Sequence, residues 1–146
     1  MTRQETIDKA LALFDEGYAC SQSVLLAFCC RFGLDEETAK RLSSTFGGGM
    51  GRLRDKCGAV TGAFMVLGLA HGNTNPKDMK TKLAAYQKVR TLNQMIENLY
   101  GTTMCSELLK QHAGKNDITA RRHHQIICCR VVGDTAGILY DMLGEP

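Results

Sequence analysis

Ile7, Ala10, Leu11 and Phe14 recur at steps of three and four behind Thr2-x-x-Glu5. That spacing lines one face of a helix and T-x-x-E forms a capping box, so a first helix is predicted, ended by Gly17. Residues 21–32 are apolar nearly all round, which predicts a buried second helix stopped by Gly33. Asp35 caps a short third helix ending near Thr45. A glycine-rich loop follows, then a fourth helix from about Cys57 to about Ala70, ended by His71-Gly72-Asn73. Pro76 suits the first turn of a fifth helix, whose stripe Ala85, Val89, Leu92, Ile96, Leu99 alternates steps of four and three. Gly101 ends it, and Thr102 or Thr103 caps a sixth over residues 104–111. Asp117 or Thr119 opens a seventh that reaches Leu143, with Cys128, Val131, Val132, Thr135, Ile138, Leu139 and Met142 on its apolar face. No convincing strand pattern, linker, repeat or low-complexity run appears. The expected fold is an all-α, single-domain helical bundle of about six to seven helices covering residues 1–146.

Length and composition agree with this reading. A chain of 146 residues, 44% hydrophobic and 23% charged, can bury a real core as one domain. The net charge of +3 is too small for the basic stripe of a nucleic-acid binder. The longest apolar runs, residues 24–30 and 63–70, fall far short of the roughly 20 residues of a membrane span. MTRQETIDKA lacks the apolar stretch of a signal peptide, so a cytoplasmic location is expected.

Seven cysteines change the picture. An odd count in a chain of this size is unlike a secreted disulfide framework. In a reducing compartment it points to metal, redox or catalytic use, beside the plain packing of free cysteine as a small hydrophobe. No C-x-x-C occurs. In the adjacent pairs Cys29-Cys30 and Cys128-Cys129, helical neighbours diverge by about 100°, so at most one of each faces a shared site. Cys20, Cys57 and Cys105 sit at predicted helix starts, where unpaired N–H groups and the helix dipole stabilise a thiolate. Arg52, Arg54 and Lys56 beside Cys57 push the same way. Cys128 faces inward on its helix.

The glycines have a reading of their own. Gly58 and Gly62 share one face of the fourth helix, and Gly133 and Gly137 one face of the seventh. Glycine inside a helix costs about 1 kcal/mol relative to alanine, so a close approach by a helix, a second subunit or a flat cofactor is expected there. The loop Gly47-Gly48-Gly49-Met50-Gly51 with its arginines offers an anion cradle, although no G-K-[ST] of a P-loop follows. His71, His112, His123 and His124 stand in no metal motif. His123 and His124 lie near Cys128 in sequence, where a ligand role competes with a plain solvated one.

Together these residues resemble a small-protein family of expected redox activity, named C_GCAxxG_C_C after its cysteine pattern. The central motif reads here Cys57-Gly58-Ala59-Val60-Thr61-Gly62; the other three cysteines match Cys20, Cys105 and Cys128, the last favoured over Cys129 by its inward face. The resemblance implies four cysteines with a shared role. A related arrangement occurs in the helical part of split-Soret cytochromes c, which carry haem and an iron–sulfur cluster; this chain has no C-x-x-C-H, so covalent haem is not implied. Cys29, Cys30 and Cys129 fall outside the pattern and are read as structural.

Three functions follow as expectations. In the first, Cys57 is a low-pKa thiolate in thiol–disulfide exchange, resolved by Cys20, Cys105 or Cys128; Gly58, Gly62 and Arg52 are the residues expected to bind a cofactor, should one be present. In the second, Cys20, Cys57, Cys105 and Cys128 ligate an iron–sulfur cluster or zinc for electron transfer. In the third, the chain is a helical interaction protein. A redox partner is implied by the first two, and a homodimer suits all three.

Overall fold

Thr2 opens the first helix as predicted. Its hydroxyl accepts from Glu5 N–H while the Glu5 carboxylate accepts from Thr2 N–H, and α1 (Arg3–Glu16) ends where Gly17 turns left-handed at φ 109°. The computed structural model describes residues 1–111 and 117–146, with residues 117–124 as backbone alone. Helix α2 (Cys20–Phe28) is shorter than its apolar run, because the chain tightens into a 3-10 turn over Cys29–Phe32 before Gly33. Asp35 caps α3 (Glu36–Ser44) by accepting from Thr38 N–H. Then come α4 (Gly58–His71), α5 (Met79–Tyr100), α6 (Cys105–Gln111) and α7 (Asp117–Leu143). The fold is all-α: among the described residues there are seven helices of seven residues or more and no strand. Helix α5 starts after Pro76 rather than at it, because the Asp78 carboxylate takes Thr81 N–H as the cap.

Helix α2 runs through the middle. Val24, Leu25, Leu26, Ala27 and Phe28 are buried, and so are Ser21 and Ser23. The two hydroxyls donate to Ser43 O (2.7 Å) and Ala19 O (2.9 Å), which removes the penalty of burying them. Helices α4, α1 and α3 pack round α2, and α7 closes the bundle against α1, α2 and α4. From α7 the core takes Ile127, Val131, Val132, Ala136 and Leu139; Cys128, Ile138 and Met142 of the predicted face are half-buried. On α5 the stripe departs from expectation: Ala85, Leu92 and Ile96 are buried, but Leu99 is 58% exposed. No helix among the described residues is long and apolar enough to cross a membrane.

The paired glycines serve helix contacts within the chain. A Cβ on Gly62 would lie 2.7 Å from Ser21 O and 3.2 Å from Ser21 Cα, so α4 meets α2 backbone to backbone. Gly133 and Gly137 make room for Leu11, Arg3 and Ile7 of α1. Because Ser21 O belongs to the backbone of the central helix, it cannot swing aside. Gly62→Ala should therefore cost about 1–3 kcal/mol in urea unfolding, whereas an alanine accepted without loss would mean that α2 and α4 are not in backbone contact.

Candidate four-cysteine site

The loop between α3 and α4 is built left-handed. Gly48, Gly49, Met50, Gly51 and Arg52 all have positive φ, and so does Arg54. Left-handed backbone strains any residue with a Cβ, so Met50, Arg52 and Arg54 hold conformations that only the surroundings can impose. Those surroundings are hydrogen bonds. Arg54 N–H and Asp55 N–H donate to Gly48 O (3.2 Å) and Gly49 O (3.0 Å), which folds the loop back on itself. Lys56 pairs with Met104 as an isolated bridge, and Cys57 N–H donates to Thr103 O at 2.8 Å. Lys56 Nζ reaches Asn93 Oδ1 (2.8 Å) and Thr103 Oγ1 (2.7 Å), away from the thiols.

This stitching brings Cys57, the N-cap of α4, beside Cys105, the first residue of α6. Cys20 begins α2 and Cys128 lies on α7. All four line one cavity of about 80 Å³, whose walls are Gly48, Gly49, Gly58, Arg54, Leu108, Leu109, Ile127 and Val131. Cys57 and Cys105 are buried; Cys20 and Cys128 are half-buried. No three His, Cys, Asp or Glu side chains among the described residues stand close enough to hold a single ion. Cys20 and Cys128 both line this cavity, and each is the largest influence on the other's thiol. Arg54 Nη1 reaches Cys105 Sγ at 3.7 Å.

The electrostatics correct the expectation for Cys57. Burial pushes its thiol up to about 12, and the nearby backbone N–H groups of Ala59 and Val60, which act to lower it, do not offset this. The helix start acts in the lowering direction but is outweighed by the loss of water. At Cys105 the helix start is already occupied: its own N–H donates to Asp55 O (2.6 Å) and Ser106 N–H donates to Arg54 O (3.1 Å). Cys128 is the thiol held below the usual cysteine range, first by Cys20 and then by the charge of Arg54, against the effect of burial. Cys128 in turn, with burial, pushes Cys20 up.

The remaining expected site residues divide. Gly58 lines the cavity; a Cβ there would meet Phe46 O at 3.0 Å and Ser21 N at 3.1 Å. Gly62 does not line it, since its bare face is filled by Ser21. Arg52 points elsewhere, onto a shallow groove with Gly17, Ala19 and Gln22. Arg54 reaches in instead, and sequence alone gives no sign of which arginine does. Cys29 is buried and bonds Leu26 O, as a structural cysteine should, whereas Cys30 and Cys129 are exposed and do not serve the core. His71 ends α4 and does not line the cavity. His112 and the side chains of His123 and His124 lie outside the described residues.

The family whose sequence pattern carries these cysteines matches residues 18–142, under the description "Putative redox-active protein (C_GCAxxG_C_C)". The chain belongs to the C_GCAxxG_C_C family. No curated protein and no solved structure matches it. The family match spans the chain from just before Cys20 to near the end of α7, so all four cavity cysteines lie within it.

Proposed function

We propose that the chain is a redox protein working through Cys20, Cys57, Cys105 and Cys128, with Cys128 as the attacking sulfur. The observation that carries this reading is that the four cysteines, drawn from separate helices, line one cavity. In exchange with an oxidised disulfide, Cys128 thiolate bonds one substrate sulfur and expels the other as thiolate. Cys20 then loses its proton to solvent and attacks Cys128 Sγ, releasing the second substrate thiolate. Two electrons leave the chain and Cys20–Cys128 becomes the disulfide. The role first expected of Cys57 thus passes to Cys128.

The cavity itself favours a second reading, an iron–sulfur cluster. Four thiolates around an enclosed space of about 80 Å³ are the donor set such a cluster takes. Cys20, Cys57, Cys105 and Cys128 would hold the group, which would supply one-electron transfer. The cavity's apolar walls would keep water from it.

Purification without oxygen decides between the two. A colourless, metal-free chain that forms a Cys20–Cys128 disulfide under mild oxidation is the expected result. Visible charge-transfer absorption with near-stoichiometric iron selects the cluster. A chain with neither metal nor any oxidisable pair among the four overturns both.

A further inference from the structure

Arg54 is the only charged side chain among the described residues that lines the cysteine cavity. Its guanidinium stands 3.7 Å from Cys105 Sγ, and among the described residues it forms no ion pair with a carboxylate. Its backbone is left-handed, at φ 63°. The chain thus holds a strained residue at a place where glycine would fit freely, with bonds to Gly48 O and from Ser106 N–H fixing it there. An arginine kept under strain, with its charge aimed at sulfur in an otherwise uncharged cavity, has a consequence beyond packing.

We propose that Arg54 is a positioning residue for charge: its guanidinium stabilises the reduced, anionic state of the four-cysteine site and thereby raises its midpoint potential. This rests on the redox reading above and holds in either form of it. Reducing a Cys20–Cys128 disulfide takes two electrons, breaks the S–S bond and leaves a thiolate, with one proton taken from solvent to make the partner thiol. Reducing a cluster adds one electron and one negative charge. A fixed cation favours the reduced side in both cases.

The test is the midpoint potential of the oxygen-free protein, wild type against Arg54→Met, Arg54→Lys and Arg54→Gly. For the thiol couple it is read by equilibration with dithiothreitol buffers followed by alkylation; for a cluster, by visible absorption. Arg54→Met should shift the equilibrium about tenfold toward the oxidised form, about 30 mV for a two-electron couple, and Arg54→Lys should recover much of that. Arg54→Gly separates charge from structure. It relieves the left-handed backbone, so it should melt no lower than wild type while carrying the lowered potential. If Arg54→Met and Arg54→Gly leave the potential unmoved, or if the potential falls only in variants that also melt lower, the inference is wrong. A wild-type chain with no measurable couple would instead sink the redox reading itself.

Discussion

Replacing Gly49 with alanine should destabilise the fold by about 2–5 kcal/mol and scatter the cysteine site. Two costs add. At φ 68° an alanine carries the left-handed penalty of roughly 1–2 kcal/mol. Its Cβ would also lie 2.6 Å from Cys105 Cβ and 2.8 Å from Arg54 Cα and Asp55 N. Two of those three neighbours are backbone, so the crowding cannot be relieved by a rotamer change, and overpacking of this kind costs about 1–3 kcal/mol. The shift propagates, because Gly49 O accepts from Asp55 N–H and Asp55 O accepts from Cys105 N–H. Gly51→Ala is the control. Its φ is 59°, but the nearest atom to a Cβ is Thr45 O at 3.9 Å, so only the conformational cost of roughly 1–2 kcal/mol should appear. Urea unfolding of both variants, with thiol accessibility measured in the native state, checks this. Equal losses at Gly49 and Gly51 would mean that the loop does not press on Cys105.

That loop marks the limit of what the sequence discloses. The helices were legible because apolar spacing and caps are local: Thr2 with Glu5, and Asp35 with Thr38, close as the pattern implies. The shared role of the four cysteines was implied by the resemblance to the C_GCAxxG_C_C pattern, whereas their meeting at one cavity depends on how the helices pack. A left-handed run was not legible, because Met50, Arg52 and Arg54 are ordinary residues held at positive φ by a loop that folds back on its own carbonyls and, at Arg54, by Ser106 N–H. Arg52 and Arg54 look equivalent in sequence, yet only Arg54 lines the cavity. The Cys57 thiol was misjudged because charges next to it in the chain are visible, while the apolar walls contributed by α6 and α7 are not. Leu99 ended up outside, on the rim of a groove it shares with Ile126 and Ile138 of α7.

Cys128→Ser should abolish thiol exchange, while Cys57→Ser should leave its rate within about twofold. Both residues line the same cavity, so the difference tests chemistry rather than position. With its thiol moved from 9.0 to about 12, Cys57 has about 10³-fold less thiolate near neutral pH than an ordinary cysteine. A more basic thiolate is intrinsically more nucleophilic, with a Brønsted slope of about 0.4–0.5, which restores roughly 15- to 30-fold. The net is an attack about 30- to 60-fold slower than normal, before burial further limits access. Cys128 is displaced in the opposite direction, chiefly by Cys20, the thiol that would resolve its mixed disulfide with the substrate. Timed alkylation with mass readout should therefore label Cys128 well ahead of Cys57, and Cys57 labelling should rise about tenfold per pH unit up to about 12. If Cys57 is labelled first, burial does not govern this site and the nucleophile assignment reverts. If serine at any of the four positions abolishes the redox couple equally, exchange by one pair is excluded, since only a set of ligands acting together makes all four indispensable.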